Sequence, residues 1–262
     1  MNRNQRRAKA EKRRMKYERW IKPKIYAALQ APVEQFINDI RTVGINAALI
    51  SVNSTAYNNR VASTLIDLYQ VAGTQAAAIL AKKIKVKSKK GSEIDPAWSR
   101  QITEYLMQHL YDKIVLPISD TTKEKLNNYI QQMIEQGESI DWLVEKMRRE
   151  DFNKYRSEMI ARTESNRAIH AGEKVVVEES DYVMKKEWVS VHDNRTRHSH
   201  LALDGQVKED DEKFSNGLDY PCDPDGSASE TINCRCHLNY ELKRDKSRNL
   251  VQKDNNTQNN FR

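Results

Sequence analysis

The chain has 262 residues, 31% charged and 38% in the hydrophobic class, enough for one large domain or two small ones around a modest core. Only 8 Gly and 6 Pro argue against a sandwich of many short strands and for long helices, and the odd count of 3 cysteines excludes a secreted disulfide framework. The net charge of +7 is lopsided: residues 1–24 hold eleven Lys and Arg against two Glu, or +9, leaving −2 on the remainder.

No apolar run reaches the length of a membrane span. The basic N-terminus is not followed by the apolar stretch of a secretory signal. A reducing compartment suits the cysteine usage. Charge at one end only describes a polyanion-seeking tail on a neutral body. Residues 1–24 are therefore expected to be a basic arm, disordered or helical only on binding. Arg6, Arg7, Lys9, Lys12, Arg13, Arg14 and Lys16 are its candidate contacts to nucleic acid.

A helical region is expected over 25–151, its first helix beginning near Tyr17. Pro32 marks a kink or break, and Val33, Phe36, Ile37 and Ile40 follow at helical spacing. A long helix over about 53–83 places Val61, Leu65, Leu68, Ala72, Ala76, Ile79 and Leu80 on one stripe. Lys82, Lys83, Lys85, Lys87, Lys89, Lys90 and Gly91 then read as an exposed basic loop. Asp95-Pro96 is a helix start, with Ile102, Tyr105, Leu106, Leu110 and Ile114 running to Pro117. Asp120 is a cap for the next helix, which Gly137 ends. Ser139 caps a short helix carrying Trp142, Leu143 and Met147. A further helix covers about 152–179.

Strands are expected only after Tyr182. Lys186 to Val191 alternates like a half-buried strand, and Asp204-Gly205 is a tight turn with a strand behind it. The fold class is α+β: a long helical N-terminal region, then a small mixed α/β module over 152–242. A polar tail over 243–262 is expected to be mobile.

All three cysteines and four of the six histidines lie between Lys186 and Tyr240. Cys222, Cys234, Cys236 and His200 can be assembled into a structural zinc site, with His198 and His237 as substitutes for His200. Cys234 and Cys236, two apart, share a face if they lie on a strand. The competing reading is a small apolar core holding three thiols, with Trp188, Phe214 and Leu238 as its packing. Asp193, Arg195, Arg197, His198 and His200 suit a phosphate site or a metal-dependent nuclease centre. They suit better a turn fixed by an Arg–Asp pair. Asp219, Asp223, Asp225 and Gly226 resemble part of a calcium loop without its closing Glu and read better as a turn. No nucleophile–base pair stands out, so no catalytic centre is expected.

The order of the pieces carries a resemblance. Ala161-Arg162-Thr163-Glu164, Lys186-x-Trp188, Asp193-x-Arg195-Thr196-Arg197-x-x-His200, Asp204-Gly205-Gln206, Phe214, Pro221 and Asn233-Cys234-Arg235-Cys236 together resemble the phage head morphogenesis family of Mu F-like and SPP1-type minor head proteins. Arg162, Glu164, Asp193, Arg195, Arg197, His200 and Asn233 are its signature residues here. The resemblance covers about 152–241. It implies a minor capsid protein of a tailed phage or prophage, present in few copies, with the portal, and with scaffold or major capsid protein, as partners. It implies a virion location after assembly in the host cytoplasm, and contact with packaged DNA through the arm. Some such proteins carry toxin or enzyme domains after the module; none is expected in the twenty or so residues that follow it here. Two rivals stay open: an enzyme acting on nucleic acid or a nucleotide through the Arg/His/Cys module, and a DNA-binding protein outside any virion.

Overall fold

The computed structural model describes residues 2–45, 48, 55–84, 96–149 and 154–253. Four long helical segments come first: α1 (Arg3–Val43), α2 (Thr55–Ile84), α3 (Pro96–Leu110) and α4 (Leu116–Gln136). The short α5 (Ile140–Arg149) and the central α6 (Lys154–Glu179) follow. The module then runs β1 (Met184–Val189), α7 (His198–Ala202), β2 (Val207–Glu209), α8 (Ala228–Thr231) and β3 (His237–Leu242). The strands form one antiparallel sheet in the order β2-β1-β3, with Lys186 opposite Lys208 and Tyr240, and Trp188 opposite Leu238. The α+β class expected from the sequence is the class observed. Among the described residues no helix is long and apolar enough to cross a membrane.

The N-terminal segment is not a free arm. Asn2 caps α1 through a reciprocal pair with Gln5: Gln5 N donates to Asn2 Oδ1 at 2.9 Å, and Asn2 N donates to Gln5 Oε1 at 3.0 Å. The first turn carries Arg3 and no acid, which opposes the helix dipole. The folded body supplies the missing anions. Arg3 pairs with Glu187 (3.1 Å) and Asp204 (3.2 Å), Arg6 with Glu241 (3.2 Å), Arg7 with Asp204 (3.8 Å) and Arg13 with Glu173 (2.6 Å). Arg14 is buried against Glu18. Of the seven candidate nucleic-acid contacts, Arg6, Arg7, Arg13 and Arg14 are thus engaged within the chain, while Lys9, Lys12 and Lys16 stay exposed.

Helix boundaries differ from expectation at the prolines. α1 runs unbroken through Pro23 and Pro32. Pro117 ends nothing: a π-helical turn over Tyr111–Val115 precedes it and the chain continues into α4. The wider turn accommodates a residue that cannot donate to the ladder. Asp120 therefore lies inside α4 instead of capping it. Gly137 does end α4, in the left-handed conformation (φ 66°), donating to Ile134 O. Ser139 Oγ accepts from Trp142 N at 3.2 Å at the start of α5, as expected.

Two cores hold the chain together. One joins the first half of α1, α2, α3, α6 and the module; the other joins the second half of α1 to α4 and α5. The first core runs straight across position 152, so α6 is as much the centre of the helical region as the start of the module. Its crossing with α2 is close enough that a Cβ on Gly172 would meet Gly73 O at 2.0 Å. Ile79, expected on the buried stripe of α2, is 47% exposed. The expected basic loop lies outside the described residues from Lys85 onward, as does the tail beyond Lys253. The start of that tail is tied down: Arg244 bridges Leu250, Gln252 bridges Tyr182, and Lys253 pairs with Asp210 at 2.9 Å.

Candidate metal centre

The site begins on α6. Arg162 Nη1 donates to Asn233 Oδ1 at 2.6 Å, and Thr163 Oγ1 accepts from Asn233 N at 2.8 Å. These bonds hold Asn233 at φ 64°, a left-handed conformation that Asn tolerates better than most residues. The bend delivers Cys234-Arg235-Cys236 to the module interior. Cys234 and Cys236 are not on a strand, since β3 starts one residue later at His237. Their convergence comes from the turn at Asn233.

His200, on α7, meets both thiols. Its Nδ1 lies 3.5 Å from Cys234 Sγ and 3.5 Å from Cys236 Sγ, and the three ligand atoms all lie within 4.8 Å of one another. His200 is 1% exposed, Cys234 1% and Cys236 2%. Nε2 of the same ring meets Glu230 Oε2 at 3.0 Å, and Trp188 packs edge-on against the imidazole with centroids 5.3 Å apart. This group can hold a metal ion. Tetrahedral zinc, with bonds of about 2.3 Å to sulfur and about 2.0–2.1 Å to nitrogen, places N and S about 3.6 Å apart, close to the separation seen. A carboxylate on the far nitrogen is the usual companion of a metal-bound histidine.

Cys222 stands beside this group. Its thiol donates to Cys234 O at 3.6 Å and receives Asn166 Nδ2 at 3.6 Å; Asn166 also donates to Cys236 O at 2.8 Å. The two other histidines considered are elsewhere. His198 is exposed, and His237 faces the buried His170 and Glu173. Without a cation the Cys234 and Cys236 thiols are shifted in opposite directions. Hydrogen bonding from Cys234 and from His200 keeps Cys236 well below the usual thiol range, while Cys234 is pushed well above it by Cys222, Cys236 and burial. For His200, burial pulls the imidazole down but the Cys236 thiolate outweighs it, and the net shift is upward. Three sulfurs this close cannot all ionise unless a positive charge joins them.

The geometry also lines up Cys236, His200 and Glu230, a nucleophile–base–carboxylate order that sequence reading did not find. Two observations set it apart from a catalytic triad. The sulfur is buried, and a second thiol sits at the same distance from the same nitrogen.

The remaining signature residues brace this centre. Arg167 Nε donates to Cys222 O at 2.7 Å, its Nη1 donates to Glu164 Oε1 at 2.6 Å, and Tyr69 Oη donates to Glu164 Oε2 at 2.8 Å. Glu164 is therefore a buried anchor and not part of a solvated face. Asp193 takes both terminal nitrogens of Arg235 at 2.5 Å and accepts from Arg195 N at 3.0 Å. That is the turn fixed by an Arg–Asp pair; the Arg is 235, with Arg195 exposed and 3.9 Å away. Arg197 Nη2 donates to Ile232 O at 2.6 Å. Asp223 closes the acidic loop by accepting from Asp219 N and Asp225 N at 2.9 and 3.0 Å, a turn as expected. Lys186, buried on β1, pairs with Asp219. Sequence reading passed over Asn166, Arg167 and Glu230. Arg167, three residues after Glu164 on a helix, was the one with a spacing signal.

Residues 124–239 match the family model described as Phage Mu protein F like protein. The matched stretch starts earlier than the resemblance read from the motifs, taking in the second half of α4 and all of α5, and ends inside β3. No curated protein and no solved structure matches the chain. Over residues 124–239, where its signature residues gather around one Cys/His centre, the chain is similar to the Mu F-like family of phage head morphogenesis proteins.

Proposed function

We propose that the chain is a minor head protein that docks at the portal vertex during head assembly, and that its module is stapled by one structural zinc ion. The observation that carries the reading is the convergence of the signature. Arg162, Glu164, Asp193, Arg197 and Asn233 are spent on internal hydrogen bonds around His200, Cys234 and Cys236. Side chains used this way build a rigid module for presentation to partners, which favours an assembly role over catalysis. His200, Cys234 and Cys236 supply three ligands, and Cys222 beside them is the proposed fourth, which would close the set and leave no position for substrate. The module past α6 shares its core with the helices, and a metal staple would fix its short strands and loops locally.

Co-expression with the portal protein of the same phage, followed by affinity purification of the portal, tests the docking. The full chain should be retained and a chain lacking residues 154–242 lost. Retention of neither form would remove the portal from the proposal.

A further inference from the structure

We infer that the groove between the first half of α1, the end of α2 and β3 is a docking site for an acidic amphipathic helix of a partner protein. The groove encloses about 1120 Å³, larger than most small-molecule pockets. Its floor is apolar and aromatic, formed by Tyr17, Leu80, Leu238 and Tyr240. Met15 and Ile79 also line it, 36% and 47% exposed, so the apolar lining continues from the buried floor up to the solvent-facing rim.

The rim is cationic. Arg6 and Arg13, which also line the groove, are already paired with Glu241 and Glu173. Lys9, Lys12 and Arg19 line it exposed and have no ion pair among the described residues. Apolar floor and free cations together select the occupant. A DNA duplex would use the rim and leave Ile79 and Met15 wet. A helix with apolar residues at i, i+3, i+4 and i+7 and carboxylates on its flanks would use both. The basic residues that the sequence offers as a nucleic-acid arm are, in the folded chain, split between internal pairs and this rim. The inference does not depend on the head-assembly reading, because binding to the isolated chain is measured without any phage particle.

The test uses the full chain and three fluorescent probes: a 20-residue peptide with Leu at that spacing and Glu between, a scrambled peptide of the same composition, and a 20-base-pair DNA duplex. Anisotropy should show the amphipathic peptide binding at least tenfold more tightly than the scrambled one. Lys12→Glu with Arg19→Glu, and separately Ile79→Asp, should each weaken it at least tenfold with unchanged thermal melts. All three positions are exposed, so folding should survive; a variant that melts early is replaced by Lys9→Glu or Met15→Asp. Equal binding of the two peptides would overturn the inference. So would a duplex that binds more tightly than the peptide and is indifferent to Ile79→Asp, which would make the rim a DNA contact.

Discussion

Arg162 and Asn233, 71 positions apart, are joined by a 2.6 Å hydrogen bond that brings the helical half of the signature onto its cysteine half. Asn233 carries a left-handed backbone there, and the bond turns a strained residue into a fixed one. Asn233→Ala should lose both the tolerance of positive φ and the bond, costing about 2–4 kcal/mol. Asn233→Gly keeps the conformation and should cost about half as much. Chemical denaturation of the two variants checks the order; equal losses would mean that the backbone conformation carries none of the effect.

The α2–α6 crossing makes a sharper claim. Gly172→Ala places a Cβ 2.0 Å from Gly73 O, whereas Gly73→Ala meets mainly the Ile102 side chain at 3.1 Å and Ala168 O at 3.2 Å. The first collides with backbone and forces the helices apart, and a loss of about 3 kcal/mol or more is expected. The second asks a side chain to yield by a few tenths of an ångström and should cost less. Thermal melts of both variants decide it; a tolerated Gly172→Ala would contradict the close crossing.

Acid should loosen α1. Burial would raise the Glu173 carboxyl, but Arg13 and then His170 outweigh it and hold it at about 2. The folded value is depressed, so its contribution to stability is complete above the unfolded value near 4.5 and is lost as pH falls toward 2. For this buried group the shift corresponds to about 3 kcal/mol. Arg13→Gln should move the acid-unfolding midpoint upward and destabilise the chain at pH 7, because a buried carboxylate loses its partner. An unchanged acid midpoint would show that the Arg13–Glu173 pair does not fasten the helix.

Much of this architecture was legible in the sequence. The stripe of α2 apart from Ile79, the Gly137 stop and the Ser139 cap follow from local spacing, while the Trp188–Phe214 packing (centroids 5.1 Å apart) follows from residue type alone. What was not legible depends on partners distant in sequence. The net charge of residues 1–24 described a free arm because Glu173, Glu187, Asp204 and Glu241, which neutralise it, lie more than 150 positions away. The Asn2–Gln5 capping box was a local signal, outweighed by that charge. Pro117 read as a stop because a π-helical turn has no sequence signature. At the centre, the sequence named His200, Cys234 and Cys236, which the fold brings together. That neither His198 nor His237, the two substitutes, meets the thiols rests on which side of α7 and β3 faces them.

Metal content tests the staple. Protein purified without added zinc should carry about one zinc per chain by native mass spectrometry. Cys234→Ser, Cys236→Ser and His200→Ala should each lose it together with cooperative unfolding of the module, and a chelator should lower the melting temperature. Cys222→Ser should weaken retention, while His198→Ala should leave the metal in place. Three freely reactive thiols and no metal would make the cysteines packing residues.

Participation in a phage head, as proposed, is tested most directly by quantitative mass spectrometry of heads purified after the chain is co-expressed with the portal, scaffold and major capsid proteins encoded beside it. The chain is expected in purified heads at a few copies relative to the major capsid protein, and is expected to be lost from them when Cys234→Ser and Cys236→Ser are combined. Well-formed heads that lack the chain, with the intact protein left free in the lysate, would contradict it.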